Sequence, residues 1–330
     1  MSSRSRKARG GWRVARGDRR AGLTPAVELA VLALPALALL AVTAPWRVAS
    51  LTPLAPVSVA QAAVVRDHAT PHPPPATRAL RVCADPNNLP FSNERGEGFE
   101  NRLAELVARE MGRRVEYTWW AQRRGFWRNT IKAGRCDVVV GLPSGYGPAL
   151  TTRPYYRSTY VFVTRRGARP PVRSFDDAAL RTARVGVQLI GDDYANTPPV
   201  AALARRGIVD NVRGYMIYGD YRTPSPPSAI VAAVARREVD VAVAWGPLAG
   251  YFARRQRVPL DVVPVSPASD GAAVPFTFDI AMGVRKSDAA LRDTLDAILT
   301  RRHAAVARIL DAYGVPRVGM DSNRVTADAR

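Results

Sequence analysis

Gly134-Arg135-Cys136-Asp137-Val138-Val139-Val140 and Arg237-Glu238-Val239-Asp240-Val241-Ala242-Val243 share one pattern: a helix end, an acidic residue, then a short apolar run rich in valine. Such a run without polar alternation fits a strand buried on both faces of a parallel sheet. Its occurrence twice, each time after a helical stretch, points to two α/β units of one plan. Before the first copy, a strand over 80–84 leads into the long turn Asp85-Pro86-Asn87-Asn88-Leu89-Pro90. Apolar residues at 99, 103, 106, 107 and 111 predict a helix over 99–111 that stops at Gly112. A strand over 114–119 and a helix over about 122–133 complete the approach to the valine run at 136–141. Around the second copy, strands are predicted near 183–187, 212–217, 239–244 and 261–265, with helices over 192–206, 227–237 and 247–256.

After this second set come one more strand, 276–284, and two helices, 287–300 and about 302–313. A late strand following a complete α/β unit implies that the chain returns to the first unit. The expected organisation is a first lobe over 79–162, a second over 163–275 and a return segment over 276–330. The crossings are expected within 160–165 and 277–282. Two crossings make a hinge, with a ligand cleft between lobes that close on each other.

The N-terminal part reads as an export leader over 1–62. Residues 1–24 hold eight Arg or Lys against one Asp, and an apolar run follows to Ala44, interrupted by Glu28 and Pro35. The interruptions leave less than the roughly 20 apolar residues a membrane span needs, so a cleaved signal is expected and no stable span after it. Small-x-small sites stand at Ala60-Gln61-Ala62 and at Val42-Thr43-Ala44, and Arg19-Arg20 is a weak twin-arginine signal in so basic a leader. Residues 63–78 carry four prolines from Pro71 to Pro75 and read as an extended linker. His68 and His72 lie there without a Cys or carboxylate cluster, so no metal site is expected.

The formal charge is +20. The leader's nine basic and two acidic residues leave 39 against 26 in the remainder, an excess of +13 carried almost wholly by arginine. Arg-Arg pairs begin at 113, 123, 165, 205, 236, 254 and 301, with none of the motifs of a nucleic-acid module. A solvated basic surface is the plain reading, and steering toward an acidic protein partner the sharper one. Only Cys83 and Cys136 occur, each beside a short apolar strand. On the residues alone, two buried thiols and one disulfide both stay open.

Taken in order, Leu80-Arg81-Val82, Pro90-Phe91-Ser92, Gly98-Phe99-Glu100, Lys132-Ala133-Gly134-Arg135-Cys136-Asp137, Arg153-Pro154-Tyr155-Tyr156, Val185-Gly186-Val187-Gln188 and the run from Ala281 to Asp288 resemble type II periplasmic solute-binding proteins of the amino-acid-binding class. The likeness covers nearly all of 79–315 and implies an α/β type II periplasmic-binding-protein fold, two α/β lobes joined by a two-strand hinge. A narrower likeness lies in Cys83-Ala84-Asp85-Pro86-Asn87-Asn88-Leu89-Pro90-Phe91-Ser92-Asn93, in Gly141-Leu142-Pro143-Ser144-Gly145-Tyr146 and in the run from Thr151 to Tyr160. It resembles the quinoprotein-dehydrogenase-associated binding proteins of the XoxJ/MoxJ type, which accompany PQQ-dependent methanol dehydrogenases. That resemblance implies a periplasmic accessory role with such a dehydrogenase as partner and no cofactor of its own. The implied fold also places Cys83 and Cys136 at the same end of neighbouring strands, which favours a Cys83–Cys136 disulfide.

In amino-acid-binding relatives an Arg after the third strand clamps the ligand carboxylate, and an Asp after a second-lobe strand holds the ammonium. The matching positions here are near Tyr146-Gly147-Pro148 and at Trp245, so neither anchor of a zwitterion is present. The cleft candidates that remain are Asp85, Asn87, Asn88, Ser144, Tyr146, Asp192, Asp193 and Trp245. Asp85, Asn87 and Asn88 also suit ordinary turn chemistry, and Asp192 and Asp193 could cap the helix expected after Gly191. Of Trp119 and Trp120, which straddle a strand end, one is expected in the core and one outside. Some proteins of this fold are dehydratases of cyclohexadienyl acids, but catalysis needs an acid or base beside a carboxylate-binding Arg. No catalytic residue is assigned, and the histidine beyond the linker, His303, falls on a C-terminal surface helix. Two readings follow: a non-catalytic accessory protein of a periplasmic PQQ-dependent methanol or alcohol dehydrogenase, or the solute receptor of an ABC transporter for a small non-amino-acid ligand.

Overall fold

The computed structural model describes residues 79–190, 197–217, 221–271 and 274–319. The leader and the whole linker therefore lie outside the described residues, as do Asp192 and Asp193. Among the described residues no helix is long and apolar enough to cross a membrane.

Both sheets share one strand order. In the first lobe Val115–Trp119, Leu80–Ala84 and Val138–Pro143 lie side by side and parallel, and the return strand Thr277–Val284 runs antiparallel to Val138–Pro143. In the second, Val212–Met216, Val185–Leu189 and Val241–Trp245 are parallel in the same way. The long strand Tyr156–Arg165 ties the two together. Residues 156–159 pair with the return strand, and from Tyr160 onward it pairs with Val241–Trp245 and Leu260–Pro264. The exchange of partners falls between Thr159 and Tyr160, at the near edge of the expected outgoing crossing; the return strand pairs with first-lobe strands from Thr277 on.

Val138, Val139 and Val140 are buried, as are Val241, Ala242 and Val243, because each run sits mid-sheet with helices on both faces. Helix Phe99–Glu110 lays Phe99, Leu103, Ala104 and Val107 onto the first sheet, where Leu80, Val138, Met282 and Leu310 complete a core. Its N-cap is Gly98, where any side chain would strike the Phe91 carbonyl; the Asn101 Oδ1 accepts the Gly98 N–H at 3.0 Å and closes the first turn. The second lobe packs Ile230, Val231 and Val234 on one face of its sheet and Phe162, Leu180 and Leu203 on the other. The C-terminal helices Ala289–Arg301 and His303–Ala312 return to the first lobe, with His303 exposed.

Several elements differ from their expected extent. The helix of 122–133 is reduced to Phe126–Asn129. Gly125 enters it in the left-handed region (φ 88°), and the Thr130 hydroxyl donates to the Phe126 carbonyl at 2.6 Å; turns then follow, with Gly134 also in the left-handed region (φ 70°), up to Cys136. The helix of 192–206 begins only at Pro198, with Thr197 as N-cap, because Pro198 and Pro199 are tolerated in a first turn and not deeper. Within the long turn after Ala84, Asn87–Asn88 and Ser92–Asn93 form a small hairpin that the polar sequence hid. Neither Trp119 nor Trp120 is buried: Trp119 stacks on Tyr117 at 4.5 Å, and Trp120 lies under the Arg135 guanidinium at 5.4 Å.

Cys83 and Cys136 are joined as a disulfide with their Cα atoms 5.6 Å apart. The bond is buried with Phe126, Ile131, Val139 and Leu142 in a small core of its own. Beside it Asp137 is held by Arg81 (2.6 Å) and Arg285 (3.1 Å). Burial alone would raise the Asp137 carboxyl; the hydrogen bonds from the two guanidiniums outweigh it and keep the group below the usual carboxylate range.

Candidate functional site

A cleft of about 310 Å³ lies between the lobes. First-lobe residues Phe91, Glu100, Gly141 and Tyr156 face second-lobe residues Gln188, Ile217, Trp245 and Leu248 across it, with Tyr160 and Phe278 at the hinge. Trp245 ends a strand at the point where helix Gly246–Ala253 begins, so the sheet aims it at the hinge. Its ring is 5.4 Å from Tyr160 and 5.8 Å from Phe278, and those two are 6.5 Å apart, all in edge-on arrangements. The Trp245 N–H donates to Gln188 Oε1 at 2.8 Å, which fixes the amide that lines the wall. Among the described residues the cleft is thus largely aromatic and aliphatic, and its lining contains no Arg, Lys or His.

Among the described lining residues the one carboxyl is Glu100, in the first turn of helix Phe99–Glu110 and 9% exposed. No hydrogen bond reaches its side chain from the described residues, and the carboxyl lies against Gly141, where any side chain would collide with it. Burial, and secondarily the charge of Asp85, push it up to about 8. Near neutral pH Glu100 is therefore mostly protonated, a hydrogen-bond donor in an apolar wall instead of an anion that would hold an ammonium group. Glu100 is not among the candidates read from the sequence, yet its signal was there: 100, 103, 104 and 107 form one stripe, and a carboxylate on the apolar stripe of a helix marks a perturbed group.

The sequence candidates separate into distinct places. Trp245 and Asn88 line the cleft. Asp85 is 2% exposed and fully engaged: one oxygen accepts the Asn87 N–H at 2.9 Å, an Asx turn, and the other accepts the Gln122 N–H at 2.6 Å and the Tyr221 hydroxyl at 2.7 Å. Asn87 faces the second lobe, its amide donating to the Thr223 carbonyl at 2.9 Å. These residues join the lobes, and the Asp85 carboxylate is spent on that junction. Ser144 is exposed in the turn after Val138–Pro143 and outside the cleft lining. Tyr146 lies on a separate first-lobe groove, edge-on to Trp127 at 5.7 Å. Gly147 and Pro148 are exposed beside it. Among the described residues no group of three or more His, Cys, Asp or Glu could hold a metal ion.

Known proteins match this arrangement over the folded part of the chain. The model of bacterial extracellular solute-binding proteins, family 3, matches residues 80–315. Protein MoxJ of Methylorubrum extorquens is 35% identical over 253 residues, 73% of this chain and 82% of that protein. The crystal structure of the periplasmic binding protein XoxJ from Methylobacterium extorquens AM1 aligns with a TM-score of 0.60 at 34% identity, covering 73% of this chain and all of the other. That of MxaJ from Methlophaga aminisulfidivorans MPT aligns with a TM-score of 0.64 at 25% identity, again over 73% of this chain and 100% of its own. With a two-lobed fold, an interlobe cleft and this likeness in hand, the chain belongs to the family 3 bacterial extracellular solute-binding proteins, and within them to the MoxJ type of periplasmic binding protein.

Proposed function

We propose that this protein is a non-catalytic periplasmic accessory protein that associates with, and assists, a PQQ-dependent methanol or alcohol dehydrogenase. The observation that carries the proposal is the combination of likeness to MoxJ, XoxJ and MxaJ over 73% of the chain with a cleft whose described lining has no cation for a ligand carboxylate and a mostly neutral Glu100. A nutrient receptor for amino acids needs both anchors of the zwitterion. Catalysis by acid–base chemistry beside a bound carboxylate would need an Arg in the same wall, and the described lining has none. The export leader, the Cys83–Cys136 bond and the family all favour the periplasm.

A second reading, a receptor passing a small uncharged solute to an ABC transporter, is favoured by the cleft itself, which is the right size and polarity for an apolar ligand with one hydrogen-bond acceptor. One experiment separates the two: capture from periplasmic extract on the immobilised mature protein, followed by native mass spectrometry of both retained protein and retained small molecule. The accessory reading expects a quinoprotein dehydrogenase at low salt. A stoichiometric small ligand with no dehydrogenase would put the receptor reading in its place.

A further inference from the structure

On the first lobe, outside the interlobe cleft, a second groove of about 900 Å³ is rimmed by Arg123, Arg124, Arg128, Lys132, Arg285 and Lys286. Phe126, Trp127, Ile131 and Tyr146 contribute its apolar surface, and no Asp or Glu among the described residues lines it. Both lysines of the sequence beyond the leader are here. Among the described residues Arg285 alone of the six cations has a carboxylate partner, in Asp137 and Asp288; Arg124, Arg128, Lys132 and Lys286 are exposed and form no ion pair there. Many other arginines of the molecule are matched, as in Arg157–Asp279, Arg184–Asp240 and Arg206–Asp270. Holding this many like charges around one groove costs self-repulsion that a purely structural surface would relieve with nearby acids.

We infer that this groove is the docking surface for an acidic segment of a protein partner, with carboxylates on the arginine and lysine rim and an apolar side chain against Trp127 and Tyr146. The inference rests on the accessory reading and gives it a face. Guanidiniums grip carboxylates with two parallel hydrogen bonds, and the alternation of cations with aromatic rings suits a chain carrying both acidic and apolar side chains. The groove is also pre-shaped. Phe126 and Ile131 are buried against the Cys83–Cys136 disulfide, so the segment carrying Arg123 to Lys132 is fastened from beneath although only four of its residues are helical. Gln122 and Leu142 belong to both groove and cleft, and Gln122 is bonded to Asp85 at the lobe junction, so an occupant of the groove would sit at the mouth of the cleft.

The test uses the mature protein, a groove variant (Arg124→Glu, Arg128→Glu, Lys132→Glu) and a control with the same charge change elsewhere (Arg109→Glu, Arg257→Glu, Arg308→Glu), all shown to be folded by their melting curves. The three control arginines are exposed and unpaired among the described residues. Each is measured against the cofactor-loaded dehydrogenase and against a fluorescent peptide of about a dozen residues, Asp/Glu-rich with one central Phe, at low and physiological ionic strength. The groove variant should bind both at least about tenfold more weakly through a slower on-rate, with the salt dependence flattened, and the control should stay within about threefold of the parent. Dehydrogenase binding by the parent that the groove and control variants weaken equally would overturn the groove and keep the accessory reading. Groove-dependent peptide binding without any dehydrogenase binding would keep the groove and remove that reading. Failure of the parent to bind either probe at low salt would overturn the inference.

Discussion

The Tyr221 hydroxyl donates to Asp85 Oδ2 at 2.7 Å across the junction of the two lobes, on the same oxygen that accepts the Gln122 N–H. The second lobe adds backbone contacts at the same place, the Thr223 carbonyl to the Asn87 amide and the Ser225 N–H to Asn87 Oδ1 at 3.3 Å. The turn that opens the first lobe is therefore fastened directly to the second. Tyr221→Phe should loosen the closed arrangement. A hydrogen bond to a charged group contributes about 1.5–3 kcal/mol, which is roughly a 10-fold to 150-fold change in the ratio of closed to open molecules. Small-angle scattering should show a larger radius of gyration for the variant, and hydrogen exchange should rise at residues 85–88. An unchanged radius and unchanged exchange would show that the lobes are held by other contacts.

The disulfide is the next quantity that can be measured. It closes a loop across a sequence separation of 53 residues, and constraint of the unfolded chain alone predicts a stabilisation of about 4 kcal/mol. The double variant Cys83→Ser, Cys136→Ser should unfold at correspondingly lower denaturant, and the parent with reductant should follow it. Alkylation of the non-reduced, unfolded parent should find no free thiol. Uptake of two equivalents would contradict the bond.

How far the sequence carries this fold can be judged at particular residues. The runs Val138-Val139-Val140 and Val241-Ala242-Val243 announced central strands because burial on both faces leaves no room for polar alternation. The helix over 99–111 was legible to within a residue of its end, since its stripe and Gly112 agree. What sequence spacing did not show was the segment 122–133, where Gly125, Thr130 and the fixed Cys136 override a weak helical pattern. The hairpin at Asn87–Asn88 and Ser92–Asn93 was hidden because its stabilisation comes from Asp85 and Ser92 side chains and from the other lobe, all long-range or side-chain effects.

The candidate site was legible in part for the same reason. Trp245 follows a recognisable strand, so its place at the cleft could be anticipated from topology. Tyr146 and Ser144 follow a strand just as closely, but the turn after Pro143 carries them away from the cleft, the one to the basic groove and the other to solvent. Glu100 required asking which face of its helix it occupies.

Free amino acids should not stabilise the protein. Among the described residues the lining has no cation for a carboxylate, and its carboxyl, Glu100, is raised by burial to about 8. A ligand present at 100 times its dissociation constant would add about 2.7 kcal/mol, an unmistakable rise in melting temperature. Thermal melts with each standard L-amino acid at millimolar concentration should superimpose on the unliganded curve. A clear upward shift with any one of them would mean that an anchor exists which the cleft geometry does not reveal.

Glu100 makes a prediction about pH whose sign is fixed by its burial. Its carboxyl is raised from an ordinary 4.5 to about 8 in the folded protein, first by desolvation and then by the charge of Asp85. Between those two values the folded chain keeps a proton that the unfolded chain has already released. Stability is then lost as pH rises through this window, at up to roughly a tenfold drop in the folding constant per pH unit, and the loss levels off above about pH 8. The isosteric Glu100→Gln cannot ionise and should lack the decline. Denaturant titrations near pH 4 should find the two proteins about equally stable, with the variant the more stable by pH 9. The same substitution keeps a hydrogen-bond donor in the cleft wall, so it should leave binding of a neutral ligand nearly intact at neutral pH. Parallel stability profiles for parent and variant from pH 4 to 9 would show that Glu100 ionises normally, and that the cleft wall carries a negative charge after all.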